Sequence, residues 1–388
     1  MKSNSKVTAV AIAWTVALGW GCGSEDGGGI DETPPAEGDE GPDQGATTSA
    51  VGTSTGPGGG EVTAVTADGE PGSSSDDGAG PPPIKLDVGG VADVGTPACQ
   101  APIRTSCDNL DDDPWHALGL NCPGGPQANG VINLSGPEQL EVHQGNLGTF
   151  MPPPFPPREG DKFVILSSGT AADLPVPGLF ASTSIDFLGG PLPPPLSTTP
   201  VSATDDCADD PSLIGTGDCS NTIEVQWAQG TGQAFDYAEM RMTLDVPAGV
   251  PAFSYDFAMF STEYPVYYQS QFNDMYIAWL ESELWTGNVS FDDMGNPISL
   301  NAGFLDYKDA PNPVDCPAPC VAPELQGTAM EGHAGTRWLT TTAGVVPGET
   351  IELIFAVFDL SDSALDTVMI LDNFQWACEG GAPNTIPG

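Results

Sequence analysis

An all-β fold, a two-sheet sandwich of jelly-roll type, is what this chain predicts. Three observations lead there. Apolar runs recur at strand length: Phe253–Phe260, Met275–Leu280 and Ile351–Phe358. Alternation is clean over Glu239–Val246, where Met240, Met242, Leu244 and Val246 face one way and Arg241, Thr243 and Asp245 the other. Finally, 49 glycines and 39 prolines in 388 residues disfavour long helices and supply the turns a sandwich needs.

The chain opens with Lys2 and Lys6 ahead of an apolar stretch, Val7–Gly21, that ends at Cys22. The stretch is shorter than the roughly 18–20 apolar residues of a membrane span and suits an export signal, so residues 1–21 are expected to be a signal peptide. Its end, Leu18-Gly19-Trp20-Gly21-Cys22, resembles a bacterial lipobox. Gly21 fits that pattern, whereas Leu18 stands one place too far back. Lipidation at Cys22 makes an outer-membrane or cell-surface lipoprotein; ordinary cleavage makes a secreted protein.

Residues 22–97 are dominated by Gly, Ser, Thr, Asp, Glu and Pro, with Lys85 the only base. Such a segment cannot bury enough surface to offset chain entropy, and an acidic, disordered tether is expected. Like charges should extend it. Over the whole chain 53 acids face 9 bases, a formal charge of −44. That balance excludes nucleic-acid binding, which needs cations to displace counterions, and favours divalent cations or basic partners.

Nine cysteines are present: Cys22, Cys99, Cys107, Cys122, Cys207, Cys219, Cys316, Cys320 and Cys378. With Cys22 set aside for lipid, the rest form an even set, which in an exported chain reads as disulfides. Local pairing predicts Cys107–Cys122, Cys207–Cys219 and Cys316–Cys320, leaving Cys99 to join Cys378. A zinc site lacks its CxxC pair or Cys/His cluster.

Residues 98–220 form a loop-rich, Cys-containing first part of the head. Proline runs at 151–157 and 190–195 predict polyproline or rigid loops. Lys162–Leu166 reads as a buried strand and Phe180–Phe187 as a weaker one. Residues 221–388 turn clearly β. Strands are expected at Thr222–Ala228, Asp236–Val246, Ala252–Ser261, Met275–Glu283, Asn288–Phe291, Ile298–Ala302, Trp338–Thr342, Thr350–Asp359 and Thr367–Trp376, with turns at Gly295-Asn296 and Pro347-Gly348.

The succession FDYAEMRMTLDVP, FSYDFAMFSTEYP, QFNDMYIAWL, GNPISLNAGF, GTRWLTTTAGVVPGE and IFAVFDLSDSALDTVMILDNFQW resembles the choice-of-anchor L domain family. The resemblance covers Phe235–Trp376. Its landmarks are Glu263-Tyr264, Phe272-Asn273-Asp274, His333-x-Gly335-Thr336, and Asp359-x-x-Asp362 with Asp366-Thr367. It implies a secreted or surface-attached bacterial β domain, often behind a lipoprotein signal, and implies no activity. Cys316 and Cys320 fall in an insert-like loop. The acidic linker and the Cys107–Cys122 loop also resemble exported proteins of myxobacterial type.

Two acidic groups are candidate calcium ligands, because calcium takes about six to eight oxygens and clustered carboxylates supply them. One is Glu263, Asn273, Asp274, Asp359, Asp362 and Asp366, if their loops share one edge of the sandwich. The other is Asp108, Asp111 and Asp113 in the Cys107–Cys122 loop, which lacks the EF-hand pattern. The competing reading for both is turn capping by side chain to backbone hydrogen bonds. His116 is expected to be structural.

Three function classes are open to such a chain. The leading one is a non-catalytic adhesion or recognition module, membrane-tethered through its lipid, with a surface glycan or protein as partner. A calcium-dependent carbohydrate-binding protein is the alternative, with Tyr264, Tyr267, Tyr268 and Trp285 as a stacking platform. A glycoside hydrolase needs two carboxylates, for which Glu263 and Glu281 are candidates. H-E-x-x-H and phosphate-loop motifs are missing from the sequence, and His116, His143 and His333 are scattered.

Overall fold

A computed structural model describes residues 98–179, 181–199, 207, 210–214, 217–219 and 222–388. The expected signal peptide, Cys22 and the tether lie outside the described residues. The chain divides into two units, Met1–Ile84 and Lys85–Gly388, and the described residues all belong to the second.

The described residues form thirteen strands: β1 (Ala128–Leu134), β2 (Leu140–Gln144), β3 (Lys162–Ser167), β4 (Ala234–Asp245), β5 (Ala252–Ser261), β6 (Met275–Glu281), β7 (Thr286–Asn288), β8 (Tyr307–Lys308), β9 (Ala334–Gly335), β10 (Leu339–Gly344), β11 (Thr350–Leu360), β12 (Thr367–Ala377) and β13 (Asn384–Pro387). Two short helices accompany them, α1 (Pro114–Ala117) and α2 (Thr222–Trp227). No helix among the described residues is long and apolar enough to cross a membrane.

One sheet runs β1-β4-β11-β6-β7; the other runs β13-β10-β5-β12-β3-β2, with β9 beside β5 and β8 beside β9. Within them, β3-β12-β5-β10 facing β4-β11-β6-β7 is the strand order of a jelly roll, so the expected architecture is present. Every strand pairing is antiparallel. Consecutive long strands alternate between the sheets, and each crossing is made at one end of the sandwich or the other.

The period-2 rows explain the core. Met240, Met242 and Leu244 of β4, Tyr276, Ala278 and Leu280 of β6, and Leu353, Phe355 and Val357 of β11 meet Phe253, Tyr255 and Phe257 of β5 and Met369 and Leu371 of β12. Each large apolar side chain taken from water here contributes about 1.5–3 kcal/mol. The outer faces are also covered. Ile277, Trp279, Ile354 and Phe358 pack under Leu192, Leu196, Ile223 and Trp227. Ile165, Phe260 and Ile370 pack under Phe155, Leu174, Leu325 and Met330. Burial on both faces is why β5, β6 and β11 read as continuous apolar runs.

Several expectations need correcting. Thr222–Ala228 is not a strand but the helix α2 followed by a turn. Ile223, Val225 and Trp227 alternate like a strand, yet only Ile223 and Trp227, one helical turn apart, are buried; Val225 is 49% exposed. Ile298–Ala302 makes only an isolated bridge, Met275↔Ser299, beside the start of β6. The strand expected at Asn288–Phe291 lies earlier, as β7; past it the Asn288 side-chain oxygen, rather than a backbone carbonyl, takes the Ala278 N–H, so the regular ladder stops although the Val289 N–H still reaches the Ala278 carbonyl. Phe180–Phe187 forms no strand among its described residues, since carboxylates rather than a neighbouring strand take its amides. Five strands, β1, β2, β8, β9 and β13, have no counterpart among the expected ones; β1 and β2 are short edge strands of half-exposed residues, and β8, β9 and β13 are only two to four residues long.

Cys107–Cys122, Cys207–Cys219 and Cys316–Cys320 pair as local spacing predicts, and the two cysteines left over form Cys99–Cys378.

Candidate functional site

Each inward row of the sandwich ends in a polar residue at the same end of the molecule. Two residues before Ala238 in β4 stands Asp236, and two before Tyr276 in β6 stands Asp274. Two after Val357 in β11 comes Asp359, two after Leu166 in β3 comes Ser168, and beyond Met259 in β5 come Ser261 and Glu263. β12 begins with Thr367 directly after Asp366. All of these are buried. The apolar layer between the sheets is therefore closed at one end by a layer of carboxylates and hydroxyls.

Part of that layer is satisfied by the protein. Asp274 accepts the Leu360 N–H at 3.1 Å on Oδ1 and the Thr367 hydroxyl at 2.7 Å on Oδ2. Asp366 Oδ1 accepts the Thr183 N–H at 2.7 Å. Asp236 Oδ1 accepts the Ile185 N–H at 3.1 Å and the Asp186 N–H. The rest is unsatisfied: Asp236 Oδ2, Glu263 Oε2, Asp366 Oδ2 and both oxygens of Asp359 have no hydrogen-bond partner. The Ser168 hydroxyl lies close enough to ease the Asp359 charge slightly. It donates to the Thr367 carbonyl, however, and leaves Asp359 without a bond of acceptable geometry.

Burial and mutual repulsion set the electrostatics. Burial first, then Asp274 and Asp362, push Glu263 up to about 10. Burial, with Asp362 and Asp366 adding, pushes Asp274 up to about 8 against the Thr367 and Leu360 hydrogen bonds. Asp359 stands well above the usual carboxylate range through burial and the Asp274 charge. Asp366 is raised to about 6, mainly by burial. Burial also raises Asp236 and the half-buried Asp362. The charged neighbours that move these groups are all other carboxylates.

Of the six residues expected to share an edge, the structure brings Glu263, Asp274, Asp359, Asp362 and Asp366 together. Asn273 is committed elsewhere: its amide donates to Gln226 Oε1 at 2.8 Å and its oxygen accepts the Asn301 N–H at 2.8 Å. Sequence reasoning missed Asp236, which extending the Met240–Ala238 row by one more step would have found. Among the described residues no group of three or more His, Cys, Asp or Glu side chains is placed so that it could hold a metal ion as it stands.

The second acidic group behaves as turn capping. Asp108 accepts the Asp161 and Lys162 N–H groups at 2.6 and 2.7 Å. Asp111 pairs with His116 at 2.8 Å, and Asp113 caps α1 through the Trp115 N–H at 2.9 Å. The Lys162 ammonium, 2.8 Å from Asp112, sits in the same place, so the calcium expectation for this loop is withdrawn.

The aromatic platform dissolves likewise. Tyr264 is fully buried, donating its hydroxyl to the Ala310 carbonyl at 3.0 Å, and Trp285 is buried with its indole N–H on the Asn288 carbonyl at 3.0 Å. Tyr268 packs edge-on against Tyr264 under the Lys308 ammonium. Only Tyr267 is exposed, at 37%. The hydrolase pair is too far apart as well. Glu263 lies beside Asp274, which acts on its charge and precedes β6, whereas Glu281 ends β6, about 20 Å further along the strand at roughly 3.3 Å per residue, against about 5–9.5 Å for a catalytic pair.

No family model, curated protein or solved structure matches the chain.

Proposed function

We propose that the head is a non-catalytic, extracytoplasmic recognition module, tethered at the cell surface, whose contact face is the carboxylate-closed end of the sandwich. The observation that carries this reading is what the loops at that end display. The segment gripped by Asp366 and Asp236 through Thr183, Ile185 and Asp186 goes straight on to Phe187 and Leu188, which are 72% and 85% exposed. The loop after Glu263 holds out Val266, 75% exposed, and Tyr267. Exposed apolar tips on a rigidly held frame suit contact with another surface.

Two further points support it. The clustered carboxylates are sealed in, Glu263 at 2% exposure and Asp359 at 1%, so a substrate has no approach to them. Four disulfides suit an oxidising, exported setting, as do the signal-like first residues and the likeness to the choice-of-anchor L landmarks.

The test is binding of labelled full-length mature chain to intact cells and to a broad glycan array, comparing wild type with the double variant Phe187→Ser, Leu188→Ser. Expected is cell binding that the variant loses at an unchanged melting midpoint, with the array separating a glycan partner from a protein one. Equal cell binding by variant and wild type removes this face as the contact surface. No binding by either removes the recognition reading.

A further inference from the structure

A buried ionised carboxylate persists only with a partner that neutralises it. Three kinds of partner exist: a protein cation, a proton or a bound metal ion. The first is not what the cluster uses, since its charged neighbours are carboxylates. Protons answer the charge and leave the geometry unanswered. A protonated carboxyl still needs an acceptor for its O–H, and its other oxygen still needs a donor. Asp359, 1% exposed, has no donor for either oxygen. With Asp236 Oδ2, Glu263 Oε2 and Asp366 Oδ2, the orphaned oxygens come from four strand ends across both sheets.

We propose that this end of the sandwich is a calcium site, in which Asp359, Asp274, Glu263, Asp236 and Asp366 hold one ion between the two sheets. The donor chemistry selects the ion. The groups are carboxylate oxygens with the hydroxyls of Ser168, Ser261 and Thr367 beside them, a set that suits a hard cation and lacks the nitrogen and sulfur that zinc and copper prefer. Calcium accepts about six to eight such oxygens in irregular arrangements. The carboxylates interact electrostatically but do not yet stand within one coordination shell; the ion must draw them in against their mutual repulsion. Asp362, half-buried on the β11–β12 connection, stands where an ion would enter. The site stands independently of the recognition reading, because an ion here joins the sheet ends whatever the loops contact.

Calcium itself is the probe. Metal-stripped full-length chain is titrated with calcium chloride in a calorimeter, as wild type, Asp359→Asn and Asp111→Asn, and its melting midpoint is read with calcium and with chelator. Expected is one ion per chain for wild type and Asp111→Asn, binding on the order of 100-fold or more weaker for Asp359→Asn, and a wild-type midpoint that rises with calcium. Identical titrations for Asp359→Asn and wild type overturn the site. A wild-type midpoint indifferent to calcium and chelator overturns it as well, and that measurement needs no variant to fold.

Discussion

Asp236 and Asp366 belong to opposite sheets and hold the same loop. Asp366 takes the Thr183 N–H and Asp236 the Ile185 and Asp186 N–H groups, so residues 183–186 are clamped across the end of the sandwich. Removing either carboxylate leaves a backbone donor without its acceptor, at about 1–3 kcal/mol for a buried group. Asp366→Ala is expected to speed amide exchange at Thr183, and Asp236→Ala at Ile185 and Asp186. Because both act on one segment, the double variant should cost less than the sum of the two. Strict additivity would mean that the two clamps work separately.

The raised carboxyl groups fix the sign of the pH dependence. In the unfolded chain they titrate near 4, whereas in the fold Asp366 holds its proton to about 6, Asp274 to about 8 and Glu263 to about 10. Between those limits the native state binds more protons, so without metal stability falls as pH rises. Asp366 alone, moved by about two units, accounts for about 3 kcal/mol between pH 4 and 6. On the acid side Glu239 acts oppositely. Burial raises it, but hydrogen bonds from Arg241, Tyr237 and Asn133 outweigh burial and hold it below its usual value. Its contribution is present above about pH 4 and lost below. In metal-free buffer the melting midpoint is expected to peak near pH 4–5 and decline towards pH 8. A midpoint that climbs from pH 5 to 8 would contradict the carboxylate assignment.

Gly169 is the backbone counterpart of the cluster. A Cβ there would stand 1.9 Å from Asp366 Oδ2 and 2.0 Å from its carboxyl carbon. Gly169→Ala must push that carboxylate off the Thr183 N–H, at a cost of about 1–3 kcal/mol. Gly190→Ala is the control, since a Cβ there meets nothing within 4 Å and the φ is not left-handed. Urea melts should separate the two variants. Equal midpoints would show that the end of the sandwich yields more easily than its packing implies.

The fold was legible in the sequence wherever burial imposed a period. Met240, Met242 and Leu244 declared a one-sided strand, and Ile351–Phe358 a strand covered on both sides. The reading failed where two periods coincide, as in Ile223-Glu224-Val225-Gln226-Trp227, which alternates like a strand and buries like a helix. It failed again at β1, which alternates half-buried with exposed residues but places the apolar Val131 on its exposed face and no fully buried residue on the other. Five of six carboxylate-end residues were found by their loop positions. Asp236 was passed over because it sits inside a strand, and Asn273 was included because its neighbour Asp274 is a true member. Tyr264 and Trp285 show why aromatic residues alone do not mark a surface: nothing in their spacing tells a buried ring with a bonded polar tip from an exposed one.

The Cys99–Cys378 disulfide fastens the first described residues to the centre of the second sheet. It spans 279 residues and meets the end of β12, which lies between β5 and β3. Arg104 continues the attachment, donating to Asn373 Oδ1 at 2.6 Å and to the Phe374 carbonyl. In the chain-entropy account a cross-link stabilises more as the loop it closes grows. By that scaling the bond is worth about 5–6 kcal/mol, against about 2 kcal/mol for Cys316–Cys320, which spans only 4 residues. Replacing both Cys99 and Cys378 by Ala should therefore lower the denaturation midpoint far more than replacing Cys316 and Cys320. Equal losses would assign both bonds a local packing role. The large loss has a mechanical corollary, because any pull on residues before Cys99 enters the fold through this bond. With the bond in place the pull falls on β12, flanked on both sides by paired strands; without it, on the Arg104 contacts, the Thr105–Pro123 hydrogen bond and then the Cys107–Cys122 disulfide.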